Sequence, residues 1–146
     1  MKLSEHFSLG EMTRTRVQGV DNTPTDEAMG NLQRLCRWLE MLRAEWNCRY
    51  GEGDDPIIIN SAYRSAAVNK AVGGVATSNH LTGCAADIRV TGIEQLLRYA
   101  TIIMDISDEA DEPFDELILE RQGRKMWLHV AVRPNGNRRR ISICCQ

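Results

Sequence analysis

FDELILERQGRKMWLHVAV, residues 114 to 132, holds two apolar runs around a polar turn. Phe114 to Glu120 and Met126 to Val132 flank Gln122-Gly123-Arg124, the composition of a hairpin between antiparallel strands. Its register has two readings. With residues 122 to 125 as the loop, Glu120 lies opposite Trp127 on the face of His129, a diagonal neighbour at roughly 7–8 Å. A loop one residue longer reverses the parity and turns Glu120 away.

Upstream, Asp108 to Pro113 reads as an acidic loop. Before it, Ile93, Leu96, Leu97, Ala100, Ile103 and Met104 trace an amphipathic helix that starts after Thr91-Gly92. Cys84 to Val90 is apolar and partly alternating, a strand with Asp87 inside it. Gly74 to Thr82 reads as a loop carrying His80, and Ser65 caps a short helix from Ala66 to Val72 that Gly73-Gly74 stops. Ile57 to Ala62 reads as a buried strand behind the loop Gly51 to Pro56. The first long helix opens at Asn22-Thr23-Pro24, with Thr23 as cap and Pro24 in the first turn, and runs to about Asn47. Ala28, Leu32, Leu35, Leu39, Leu42 and Trp46 form its core stripe, widened by Cys36, Trp38 and Met41.

Downstream, Arg133 to Arg140 reads as a solvated basic turn with its arginines outside, and Arg139 to Cys144 as a last strand. These elements imply an α+β fold, a small mainly antiparallel sheet with helices packed on one side. No repeat or linker divides the chain, so residues 1–146 are expected to form one domain that holds the whole site.

A net charge of −2 with 26% charged residues spread along the chain predicts no basic face for nucleic acid and no acidic tail. The first residues lack the apolar run of a secretory signal, and no stretch is long enough to span a bilayer. Cytoplasmic synthesis follows, with action elsewhere only after release or export. Five cysteines, an odd number without framework spacing, predict reduced thiols, Cys144 and Cys145 being unremarkable ones at a frayed end.

The chemistry lies in His80, in Asp87 seven positions later, and in His129 on a distant segment. Two imidazoles and a carboxylate suit zinc and leave its fourth position open for water. One histidine alone would carry little weight. Here, small residues from Gly83 to Ala86 let the chain pass close behind a site, and an unpartnered imidazole between Leu128 and Val130 would be costly to bury. Cys84 makes a closed Cys/His zinc site an alternative, although no C-x-x-C pair supplies the rest of it. His6, beside Phe7, reads as a polar group and not as a ligand.

Ser78, His80, Gly83, Ala85 and Asp87, spaced S-x-H-x-x-G-x-A-x-D, and Trp127-Leu128-His129 resemble the zinc D-alanyl-D-alanine carboxypeptidase family. That family includes peptidoglycan D,D- and L,D-peptidases, phage endolysins and fold relatives of the Hedgehog signalling domain. Ser61-Ala62-Tyr63-Arg64-Ser65, Asn69 to Gly74, Leu3 to Phe7 and Asp21 to Pro24 also resemble its single-domain, often phage-encoded branch, so the likeness extends to about Val132. The resemblance implies a Hedgehog/D-Ala-D-Ala-peptidase-like fold, with Zn2+ on His80, Asp87 and His129 and substrate contacts at Arg64, Ser78 and Tyr63. It further implies a monomeric metallopeptidase that cuts peptidoglycan stem peptides, as a phage endolysin degrading the cell wall does. Arg64 would hold a substrate carboxylate or the developing oxyanion.

The sequence departs from the family at one point. Many relatives carry the catalytic acid three residues before the last histidine, and Met126 stands there. The branch's pattern at Phe114 to Glu120 makes Glu120 the leading substitute for the catalytic role, with Asp115 and Glu116 behind it. The missing acid also favours a rival, an inactive metal-containing wall-binding or signalling module.

Overall fold

The hairpin closes in the first of its two registers: Glu120 pairs with Trp127 and Gln122 with Lys125. Gly123 supplies the left-handed backbone, φ 61°, that so tight a turn requires. In the computed structural model, which describes all 146 residues, the two strands are β3 (Glu116–Gln122) and β4 (Lys125–Ala131). The other elements, in chain order, are α1 (Leu9–Met12), α2 (Asp26–Arg49), β1 (Ile59–Ser61), α3 (Ala66–Ala71), β2 (Ala85–Arg89), α4 (Ile93–Ala110) and β5 (Arg140–Cys145). The fold is α+β. Its five-stranded mixed sheet has the order β1-β2-β4-β3-β5, antiparallel throughout except that β5 runs parallel to β3.

Alternation along the strands gives the sheet two unlike faces. Ala86 and Ile88 of β2, Leu117 of β3 and Leu128 and Val130 of β4 enter a core of 27 buried residues, with Leu119 packed against it. The helices α2 and α4 pack together over this face and supply Leu32, Leu35, Leu39, Leu42, Leu96, Ala100 and Ile103 to the same core. Each leucine or isoleucine among these contributes about 1.5–3 kcal/mol on burial. The opposite face carries Asp87, Glu116, Glu120, Trp127 and His129, all lining one cleft.

Several local expectations are corrected. Thr25, not Thr23, caps α2, its Oγ1 accepting from the Ala28 N–H at 3.1 Å; Thr23 instead turns back onto Asp21 at 2.6 Å. Ile57 and Ile59 are buried but Ile58 is 40% exposed, and the strand itself is only the three-residue β1 at the sheet edge, which Ile58 precedes. On α4, Leu96, Ala100 and Ile103 are buried as expected, but Ile93 and Leu97 are exposed and Tyr99, Ile102 and Ile106 are buried as well. The same helix continues to Ala110 and absorbs the start of the acidic loop.

From Arg133 to Arg140 the chain crosses the end of β3 to reach β5 on its far side. The arginines of this crossing are not simply solvated. Arg138 forks onto Asp115, with Nε and an outer nitrogen at 2.9 and 2.8 Å; Arg133 approaches the same carboxylate at 3.2 Å, and Arg139 reaches Asp108 at 2.9 Å. Asp115 has 0% exposure, so the turn folds inward around a buried charge.

Candidate active site

Asp87 and His129 are direct cross-strand partners on β2 and β4 and therefore share a face. His80 arrives from a 3-10 turn, Asn79–Thr82, that ends the loop after α3. Ser78 caps this turn, its Oγ accepting from the His80 N–H at 3.2 Å. Gly83 closes it at φ 76°, where a Cβ would stand 2.7 Å from the Ala28 carbonyl oxygen of α2. Only glycine meets both demands.

The three side chains are buried, and their ligand atoms all lie within 4.8 Å of one another. The Nδ1–H of His80 donates to the Ala62 carbonyl at 2.6 Å, which leaves Nε2 facing Asp87 Oδ1 at 3.3 Å. Around His129, Nδ1 lies 3.1 Å from Asp87 Oδ1 and Nε2 lies 3.1 Å from Glu116 Oε1. Each ring thus presents one nitrogen to the cluster and has the other held from behind, the arrangement that fixes a metal-binding imidazole. Two imidazole nitrogens and a carboxylate fit zinc with an open position. No cysteine joins them, for Cys84 Sγ lies against the Thr82 carbonyl, so the closed Cys/His cluster is not assembled. His6 is bound to Glu40 of α2 at 2.7 Å.

Burial alone would raise the Asp87 carboxyl, but His80 and then His129 outweigh it and hold the group well below the usual carboxylate range. Burial likewise pushes His129 down, and the Asp87 and Glu116 carboxylates more than reverse it, bringing the imidazole up to about 9. A metal ion would have to displace that proton.

Glu120 lines the same cleft, which has a volume of about 580 Å³, together with His80, Asp87 and His129. Its Oε2 accepts from the Trp127 indole N–H at 2.7 Å, and burial, helped by the Asp87 charge, raises its carboxyl above the ordinary value. Met126 alternates with Trp127 along β4; it is half-buried, packs in part against the core and also lines the neighbouring cleft at the end of the strand. Arg64 donates from Nε to Ser61 Oγ at 3.1 Å and from its outer nitrogens to Asp87 Oδ2 at 3.2 Å and Asn69 Oδ1 at 3.5 Å. Ser78 lines the cleft. Tyr63 does not line it: it is only 6% exposed and belongs to the core.

One group that sequence reasoning passed over is Asn79. Its Nδ2 donates to Asp115 Oδ2 at 2.8 Å and Glu116 Oε1 at 2.7 Å, while its Oδ1 accepts from Arg133 Nε at 3.1 Å. Its place between Ser78 and His80 is the signal that could have found it. A second departure concerns charge. Scattered cations predict no basic face, yet Arg14, Arg16, Arg64, Arg89, Arg124 and Lys125 line one cleft that adjoins the cluster.

A family model for peptidase M15 matches residues 5–109, a span that includes His80 and Asp87 and stops before His129. No curated protein matches the chain. The match covers most of the sequence, and the chain belongs to the peptidase M15 family, whose members are in general zinc-dependent.

Proposed function

Taking M15 membership as the premise, we propose that this peptidase is zinc-dependent and hydrolyses peptide bonds in peptidoglycan stem peptides, with D,D- or L,D-specificity. The observation that carries this reading is the convergence of His80, Asp87 and His129 on a cleft that also holds Glu120. Zinc in such an open site supplies Lewis acidity, which activates water and polarises a carbonyl.

In this reading His80, Asp87 and His129 are the ligands, oriented by the Ala62 carbonyl, Arg64 and Glu116. Glu120 acts as general base and then returns the proton to the leaving amine. Its raised carboxyl suits both halves of that cycle. Arg64 uses three of its five N–H donors on Ser61, Asn69 and Asp87, and the remainder are available to a substrate carboxylate or the developing oxyanion. Ser78 borders the same pocket. We take residues 1–146 as one domain acting as a monomer on the wall, after release or export, as an endolysin does. No helix is long and apolar enough to cross a membrane.

Purified peptidoglycan is the test substrate. Zinc-loaded protein should release new amino groups, and a chelator or the His80→Ala His129→Ala pair should abolish the release. No release from walls of several bacterial types would leave an inactive wall-binding module in its place.

A further inference from the structure

A second cleft of about 590 Å³ opens beside the metal cluster, and none of its 15 lining residues is acidic. Its cations are Arg14 and Arg16 from the segment after α1, Arg64, Arg89 at the end of β2, and Arg124 and Lys125 at the β3–β4 turn. Arg64 is held on Asp87. The other five make no ion pair, as Arg34, Arg121 and Arg140 elsewhere do not, whereas Arg37, Arg43, Arg49, Arg98, Arg138 and Arg139 each sit on a carboxylate; what sets the groove apart is that its cations gather with no acid among them. A chain with net charge −2 has carboxylates to spare. Their absence from this one groove leaves mutual repulsion that an anionic ligand would relieve.

The groove prolongs the metal site along the same face of the sheet. Arg89 and Trp127 are the cross-strand pair one pleat beyond Asp87 and His129, and Lys125 lies one pleat further along β4. Same-face side chains recur about every 7 Å along a strand. An extended peptide has the same repeat. With its scissile bond at the cluster and its chain running this way, side chains two and four residues from the bond come level with Arg89 and with Lys125.

We propose that this groove is a substrate subsite for an acidic stretch of peptide, binding carboxylates about two and four residues to one side of the scissile bond. The proposal rests on the peptidase reading. Arg64, Val72 and Trp127 line both clefts, which ties the groove to the reaction centre. Trp127 is its only aromatic side chain, so it lacks the stacking series of a single-strand nucleic-acid channel. Ile59, Val68, Val72 and Met126 between the cations suit a peptide better than a bare phosphate chain.

The test uses labelled peptides with glutamates at those positions, their glutamine counterparts, and inorganic polyphosphate. Binding is measured by anisotropy on zinc-loaded Glu120→Gln protein and on chelated wild type, and cleavage on zinc-loaded wild type. The glutamate peptide should bind more tightly than the glutamine one, and less so as salt rises from about 50 to about 300 mM. Arg14→Gln Arg16→Gln Arg89→Gln should weaken its binding about tenfold to a hundredfold, at about twofold to fivefold per cation. The loss should appear in KM more than in kcat, with zinc content and melting temperature retained. Equal binding of the two peptides, or indifference to the triple variant, overturns the subsite even where wild type cleaves both. Preference for polyphosphate overturns it in favour of a phosphate polymer. Charge-dependent binding without cleavage of any peptide supports the groove and removes the peptidase reading instead.

Discussion

Asp87 and Asp115 are both buried carboxylates with depressed proton affinity, and they sit in two neighbouring polar clusters. Asp87 lies between two imidazoles, with Arg64 behind it; Asp115 lies between two guanidiniums, with Asn79 and the Arg138 backbone N–H completing its shell. Imidazoles can give up a proton and offer a lone pair, and arginines cannot. One cluster can therefore open to a metal ion. The other is permanently closed on itself and clamps the β4–β5 crossing to the start of β3. Burial and a shifted pKa are common to both, so neither marks function; the chemistry of the partners does.

Asp87→Asn tests the division most severely. It should strip the metal and reduce peptide hydrolysis to background, since two imidazoles alone do not make the three-ligand set. Asp115→Asn should retain zinc while destabilising the fold by about 3–5 kcal/mol, because Arg133 and Arg138 lose their shared counter-charge. Metal analysis and denaturant titration of both variants decide the matter. Zinc loss as complete in Asp115→Asn as in Asp87→Asn would merge the two clusters into one.

Glu120 belongs to the first cluster by register alone, and Glu120→Gln separates proton transfer from metal binding. It should keep zinc and lower kcat about 10²–10⁴-fold. Full activity in this variant would pass the base role to another group, Glu116 being the other carboxylate, besides Asp87, in contact with His129.

His80, Asp87 and His129 are legible in the sequence through residue chemistry and family-like spacing, although His129 lies 42 positions beyond Asp87, and the strand alternation behind them through period-two patterning. The hairpin register was narrowed to two and no further, since one turn residue decides it. What stayed hidden depends on pairing between distant segments. Arg138 meets Asp115 across 23 positions, and cations from residues 14 to 125 gather in one groove while total charge stays near balance. On α4 the buried Leu96, Tyr99, Ala100, Ile103 and Ile106 keep the helical period, and Ile93 and Leu97 are apolar but exposed at its N-terminal turns.

Acid separates the closed cluster from the rest more gently. Burial opposes ionisation of Asp115, but Arg138 and Asn79 outweigh it and bring the carboxyl from its ordinary 3.8 down to about 2. A carboxylate lowered in the folded state stabilises fully above its unfolded pKa and loses that contribution as pH falls through the folded one. The stability difference between wild type and Asp115→Asn should therefore shrink by about 2 kcal/mol between about pH 4 and about pH 2, as read from paired urea titrations. A difference independent of pH across that window would mean that the arginines do not hold the charge.

Glu116 touches both clusters, and its replacement gives the smallest effect and the finest test of their separation. Its Oε1 lies 3.1 Å from His129 Nε2 and accepts from Asn79 Nδ2 at 2.7 Å, so it joins the metal-binding ring to the Asp115 clamp. Glu116→Gln keeps an oxygen that can accept from the imidazole N–H and removes only the charge that raises ring basicity. Zinc affinity, measured by competition with a chelator, should fall about tenfold, the low end for such outer partners. Glu116→Ala, which also removes the acceptor, should lose more. Asn79→Ala should leave zinc affinity nearer wild type and lower thermal stability instead, because it cuts the joint on the side of the clamp. Equal losses of affinity in Glu116→Gln and Asn79→Ala would show the metal held by the whole network, and the two buried aspartates would then serve one site.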